Sequence, residues 1–378
     1  MGLIANAKIS DTDSSMNWSD KFGAYKMTSG VYKIGTIDAD GAMSCSSADI
    51  KTFILPAHVT SVGGVGGMYY IEKIEVEEGN TVYHVDGNCL IETEQKTIVG
   101  GCKTSVIPTD GSVTAIGGGA FRGCSWLTAI TIPSNITSIG EYAFYGTRLE
   151  SIVIPESVTQ LGKRAFSRCS IKSANIPSGI TEIPDYLFEN CENNLTTVTL
   201  HDNITYIGQN AFWACHNLTD FTLPAKVKYI GEQAFGSCTS LKNITIPDSV
   251  EFIGRDAFKN TGYYQNESNW DNGVLYCGKY LLNTKTTLTG EVTVKSGTVS
   301  IAEYAFVWSS VEKVILPESV KFLAPHAFYY NYAKSASVTF TDCEGWVSYN
   351  NIDKENPTAV PAEDLKSGTY DNGYNYLE

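Results

Sequence analysis

Clustered positive charge is missing from this chain. Lys and Arg number 27 against 41 Asp and Glu, a formal net charge of -14, and no basic run occurs. Grouped Lys and Arg are needed to displace the counterions of a phosphate backbone, so the charge balance excludes nucleic acid as a partner. No stretch approaches the roughly 18 consecutive apolar residues of a membrane span, which excludes insertion by a helix. The opening Met1-Gly2-Leu3-Ile4-Ala5 also lacks the charged and apolar regions of a secretory leader. Together with the closing Leu377-Glu378 it resembles cloning residues, and the expectation is that a leader has been removed.

Chemistry-bearing motifs are equally scarce. There is no Gly-x-Ser-x-Gly, His-Glu-x-x-His, Walker loop or dinucleotide Gly-x-Gly-x-x-Gly, and no Cys-x-x-Cys that would suggest zinc. Asp11-Thr12-Asp13-Ser14-Ser15 resembles the start of a calcium loop but lacks the Gly at position six and the Glu at position twelve. His58, His84, His201, His216 and His326 are scattered without partners at catalytic spacing. No metal, no cofactor and no enzyme are expected; a carboxylate pair assembled in space for glycoside hydrolysis stays open at this point.

What is abundant is a period. Ala120-Phe121, Ala143-Phe144, Ala165-Phe166, Ala211-Phe212, Ala234-Phe235, Ala257-Phe258, Ala305-Phe306 and Ala327-Phe328 recur, with Leu187-Phe188 in the one variant slot. Successive phenylalanines lie 22 to 24 residues apart, and the gap of 48 between Phe258 and Phe306 is two periods. Four residues before each Ala stands an aliphatic followed by Gly, Ala or Pro, as in Ile139-Gly140, Ile183-Pro184 and Ile301-Ala302; a chain turning at each corner explains the small residue. After each dyad an alternating apolar segment closes on Pro, for example Leu127 to Pro133, Leu149 to Pro155 and Leu241 to Pro247. Period-two alternation ended by Pro predicts a short strand in every turn.

One turn cannot bury its own apolar edge, so the repeat predicts a solenoid in which the Ile, Leu and Phe of each turn pack on the next. Two longer turns, about 79–108 and 263–294, carry Asp86-Gly87 and Asn272-Gly273, which predict hairpins. The organisation expected is an N-terminal cap over 1–49 containing Trp18, Phe22, Tyr25 and Tyr32, a solenoid over 50–340, and a C-terminal cap or tail over 341–378 containing Trp346.

Five of the ten cysteines, Cys124, Cys169, Cys191, Cys215 and Cys238, share the slot three residues after Phe with Thr147, Thr261, Ser309 and Asn331. A slot shared by Cys, Thr, Ser and Asn is a small inward position. Stacked side chains there run parallel, so buried free thiols are favoured over disulfides.

The pattern Ile-x-Ile-Pro-x-x-Val-x-x-Ile-Gly-x-x-Ala-Phe-x-x-Cys resembles the leucine-rich repeat of the BspA-like (Treponema pallidum) class over roughly residues 50 to 340. That resemblance implies a leucine-rich-repeat solenoid, a right-handed superhelix of short parallel strands, mostly β with short helical or 3-10 turns. It also implies a bacterial, secreted or surface-displayed, non-catalytic adhesin. Its partner would be a host or neighbouring-cell protein, such as extracellular matrix or a receptor.

Where such a protein binds is read from strand alternation, since the residue between the last two inward aliphatics points outward. Thr131, Val153, Asn175, Thr199, Thr222, Thr245 and Ile315 hold that place and form a nearly uncharged, Thr-rich row. A solvated strand also favours Thr without any ligand. The second reading is a carbohydrate-binding surface module using loop aromatics, with Trp270 in the Asn- and Gly-rich excursion as its leading residue.

Overall fold

The computed structural model describes residues 51–328 apart from 56, 58, 63–67, 193 and 220, with the backbone of 8–10, 337–340, 347–350, 358–359 and 375–377. The cap aromatics Trp18, Phe22, Tyr25, Tyr32 and Trp346, and the Asp11–Ser15 loop, lie outside the described residues. The chain folds as a β-solenoid of short parallel strands with almost no helix, in two compact units, 1–201 and 202–378.

In the first unit Thr52–Leu55 pairs in parallel with Lys73–Val76. An antiparallel excursion follows, Tyr83–Asp86, Cys89–Glu92 and Thr97–Gly100. Its two-residue turn has Gly87 and Asn88 at φ 53° and 59°, the left-handed pair that a tight hairpin needs. Thr97–Gly100 then opens a parallel ladder through Ala115–Ile116, Ser138–Ile139 and Gln160–Leu161. In the second unit Tyr206–Ile207, Tyr229–Ile230 and Phe252–Ile253 form the equivalent ladder. The excursion there begins with a helix at Gly262–Gln265, capped by the Thr261 side chain, and continues as strands Trp270–Asp271, Val274–Cys277 and Tyr280–Thr284.

These ladders correct the expected strand position. The alternating segment pairs as strand at Ser173–Asn175 with Thr197–Thr199 and at Thr289–Thr293 with Ser310–Leu316, but 127–133, 149–155 and 241–247 hold no strand. Their buried residues, Leu127 and Ile132, Leu149, Ile152 and Ile154, and Leu241 and Ile246, are separated by exposed or half-buried ones. The repeated ladder instead sits on the aliphatic just before the small residue.

The glycines explain why. A Cβ on Gly162 would lie 2.2 Å from the Glu141 nitrogen of the preceding turn, and one on Gly254 would lie 2.5 Å from the Glu232 nitrogen. Neither glycine has positive φ. Close approach of stacked backbones therefore requires them, in place of the corner turning expected from sequence, and that approach brings the ladder strands into hydrogen-bonding range.

Positive φ is found elsewhere in the turn. Tyr142, Arg164, Tyr186, Gln233, Asp256, Tyr304 and His326, each immediately before the Ala or Leu of a dyad, have φ between 51° and 59°. A second left-handed residue stands two after Phe: Gly123, Gly146, Arg168, Asn190, Ala214, Ser237, Asn260 and Trp308. Alternating handedness sends alternate amides to the next turn, as in Tyr142 N–H to Lys163 O, Phe144 N–H to Ala165 O and Gly146 N–H to Ser167 O. The amides between them bond back within their own turn, Ala143 to Gly140 and Tyr145 to Tyr142. All are thereby satisfied without a regular helix.

Inside, the phenylalanines stack. In the first unit Phe121, Phe144, Phe166 and Phe188 are spaced 5.1, 5.4 and 5.9 Å apart, nearly parallel. In the second, Phe212, Phe235 and Phe258 repeat the stack at 5.3 Å per step. Fully buried rings in each turn are the apolar edge that a single turn could not hide.

Candidate functional site

The outward row behaves as alternation predicts. Thr131, Val153 and Thr199 in the first unit, and Thr222 and Thr245 in the second, are exposed, while Ile132, Ile152, Ile154, Val198, Leu223 and Ile246 beside them are buried. Val153 is 74% exposed, an unusual position for an aliphatic. Asn175 differs: it is half-buried, its amide accepting from Ile154 N–H at 3.0 Å and donating to Ile154 O at 2.8 Å. It ties two turns together rather than facing solvent freely. Beside the row Lys172 pairs with Glu150 at 3.2 Å.

Trp270 is half-buried in the second excursion. Its indole N–H donates to Tyr264 O at 2.8 Å, its ring meets Tyr264 edge-on at 5.1 Å, and Lys285 Nζ lies 5.3 Å from its centroid. These contacts pin the ring as one wall of a cleft of about 550 Å³ whose lining includes Trp308 and Asn283. Trp308, 45% exposed, escapes sequence reasoning. A signal for it exists, because it is an indole in the slot that other turns fill with Gly123, Gly146, Arg168, Asn190, Ala214, Ser237, Asn260 or Tyr330.

A second missed feature lies in the first unit. Four of the five arginines in the chain fall between residues 122 and 168. Arg122 lies over Tyr142 and Tyr145 at 4.8 and 5.4 Å, Arg168 over Tyr145 at 5.6 Å, and Arg148 over the exposed Trp126 at 4.9 Å. Arg164 lies 3.9 Å from the Tyr186 centroid and donates to Tyr142 Oη at 2.6 Å. Cation–π contacts on the exterior satisfy both partners and are worth roughly 0.5–1 kcal/mol each.

The eight described cysteines, Cys89, Cys102, Cys124, Cys169, Cys191, Cys215, Cys238 and Cys277, are free and buried. Cys169, Cys191 and Cys238 donate Sγ–H to the Phe carbonyl of the preceding turn: Phe144 O at 3.1 Å, Phe166 O at 3.3 Å and Phe212 O at 3.1 Å. Burial pushes the Cys169 and Cys238 thiols up to about 12. Cys45 and Cys343 lie outside the described residues.

Among the described residues no three His, Cys, Asp or Glu side chains gather as a metal site. The histidines stay apart: His84 Nδ1 meets Thr93 Oγ1 at 2.8 Å, His201 Nε2 meets Pro177 O at 2.8 Å, and His216 Nδ1 meets Ser237 O at 2.8 Å. His326 lies 3.7 Å from Glu303, whose carboxyl burial pushes up to about 7. No helix among the described residues is long and apolar enough to cross a membrane.

No curated protein matches the chain. Among solved structures, a leucine-rich repeat protein from Eubacterium ventriosum is similar at 27% identity and a TM-score of 0.52, covering 59% of this chain and 62% of its own length. This chain therefore spans less than two thirds of that protein. A leucine rich cell surface protein from Faecalibacterium prausnitzii is similar at 17% identity and a TM-score of 0.34, covering 87% of this chain and 96% of its own. The Leucine Rich Repeat protein of T. pallidum is similar at 22% identity and a TM-score of 0.34, covering 57% and 87%. The profile of the BspA type Leucine rich repeat region matches in six copies, at residues 42–169, 96–219 and 205–335. With most of its length matched, the chain belongs to the BspA type leucine-rich repeat family.

Proposed function

We propose that this protein is a non-catalytic binding protein of the bacterial exterior that holds a host or neighbouring-cell protein against its outward strand row. The observation carrying this reading is the row itself. Thr131, Val153, Thr199, Thr222 and Thr245 stand exposed between buried aliphatics, with hydroxyls and one bare isopropyl group where a solvated surface would carry charge. A weakly charged surface of this kind, present in each unit, suits a protein partner, because little desolvation of ions opposes contact. An exterior location is supported by the thiols, since burial of all eight described cysteines and the raised pKa of most of them keep them inert toward oxidants.

The test uses immobilised fibronectin, laminin and collagen, with the protein and a variant carrying Thr131→Lys, Val153→Lys, Thr199→Lys and Thr222→Lys. All four positions are exposed, so the variant should melt within about 0.5 kcal/mol of the parent per site. Binding that the variant loses supports the row as the site. Binding that survives all four substitutions removes the row from consideration.

A further inference from the structure

We propose that the cleft between Trp270 and Trp308 is a binding site for an uncharged sugar, with one pyranose ring stacked on the Trp308 indole. This site is separate from the strand row and does not depend on it. Three observations converge on it.

The first is strain without full burial. Trp308 has φ 62°, in the left-handed region that costs a side-chain-bearing residue roughly 1–2 kcal/mol, and it remains 45% exposed. Equivalent positions in other turns carry Gly123, Gly146, Asn190 and Asn260, residues suited to that backbone, but also Arg168, Ala214 and Ser237, so what sets Trp308 apart is a large exposed ring on that backbone and not the strain itself. An indole left this exposed recovers only part of the packing energy that burial would give. The exposed indole lines the cleft.

The second is preorganisation of the Trp270 part of the lining. The helix Gly262–Gln265 and the strand Trp270–Asp271 belong to the excursion that interrupts the 22-to-24-residue period, and the Trp270 N–H bond to Tyr264 O locks the ring in place. A rigid wall lowers the ordering cost of binding. At about 550 Å³ the cleft falls within the size range of small-molecule sites.

The third is polarity without net charge. Lys285 is bonded to Glu267, and Lys259 is paired with Asp256 at 3.0 Å, so the cations of the lining are already neutralised by the protein. An anionic ligand would have to displace those carboxylates. The Asn283 amide and the Thr286 and Thr287 hydroxyls line the same space and bond to no other side chain or backbone group among the described residues. An amide offering donor and acceptor together, two hydroxyls and an indole face match the alternating hydroxyls and C–H face of a neutral pyranose.

The probes are cellohexaose, maltohexaose, mannohexaose and chitohexaose, with a heparin dodecasaccharide as the charged comparison, each titrated calorimetrically into the full chain. At least one neutral hexaose is expected to bind. Trp308→Gly deletes the platform while suiting the left-handed backbone, so it should weaken that binding by roughly tenfold or more in a variant whose circular dichroism spectrum matches that of the parent. Asn283→Ala should weaken it by roughly threefold or more and decides the matter if Trp308→Gly fails to fold. The proposal is overturned if no neutral hexaose binds at millimolar concentration, if heparin alone binds, or if the folded variants bind as the parent does.

Discussion

The ring of Phe212 stacks on that of Phe235 with centroids 5.3 Å apart and planes 9° from parallel, while Phe221 meets both edge-on at 5.0 and 4.8 Å. Phe212 is completely buried. Cutting it to Ala leaves a ring-sized gap in the stack of its own unit, which the rigid backbone ladder on that turn prevents from collapsing. Phe212→Ala is expected to lower unfolding stability by about 3–5 kcal/mol in urea titration. A loss below about 1 kcal/mol would show that the phenyl stack is not what holds the turns together.

The two backbone constraints of each turn make opposite predictions. At Gly162 an added methyl would meet main-chain atoms of the preceding turn at 2.2 and 2.4 Å, and main chain cannot move aside as a side chain can. Gly162→Ala should therefore destabilise by at least about 1–3 kcal/mol. At Gln233, φ 51° is a conformation glycine adopts without strain. Gln233→Gly should be neutral or gain up to about 1 kcal/mol, because relief of left-handed strain offsets the extra freedom of the unfolded chain. Thermal unfolding of both variants checks the pair, and a destabilised Gln233→Gly would reassign the slot to side-chain packing.

How much of the molecule is legible in its sequence depends on what each feature requires. Stacking of Phe144 on Phe166, inward placement of Cys169 and exposure of Thr131 and Thr199 follow from period and alternation, which are written along the chain. The hairpins follow from local turn chemistry, at Asn272-Gly273 in the place expected and at Gly87-Asn88 one residue later than the expected Asp86-Gly87. Ladder pairing at Ser138–Ile139, by contrast, depends on how closely two turns approach, and the left-handed φ of Tyr142 or Arg164 is not an intrinsic preference of those residues. The cleft is hidden for a further reason. Trp270 and Trp308 stand 38 positions apart, and only the path of the excursion brings them to one space.

Burial of the thiols yields a chemical prediction. With Cys169 and Cys238 pushed up to about 12, thiolates near pH 8 are about four orders of magnitude rarer than thiols, and the enclosing turns exclude the reagent as well. In a Cys45→Ser/Cys343→Ser background, Ellman's reagent should detect no thiol in the native protein and all eight after denaturation. Rapid native labelling would mean that the turns open locally far below the global unfolding free energy.

Glu303 supplies a prediction in pH. Its carboxyl is pushed up to about 7 from an ordinary 4.5, chiefly by burial and further by the charge of Glu232, while the Arg255 backbone N–H at 3.0 Å and the Arg255 guanidinium oppose the rise. His326 lies 3.7 Å away on the following turn. Between about pH 4.5 and 7 the folded protein holds a proton that the unfolded chain releases, so stability falls as pH rises through that window. The penalty is absent below it and complete above it, up to about 3 kcal/mol. Glu303→Gln cannot ionise yet keeps an oxygen for the Arg255 N–H. It should be more stable than the parent by about 1–3 kcal/mol at alkaline pH and within about 0.5 kcal/mol of it near pH 4.5. Equal stabilities across the whole range, or a loss at alkaline pH, would mean that attraction to Arg255 and His326 outweighs burial and that ionisation of Glu303 does not weaken the fold.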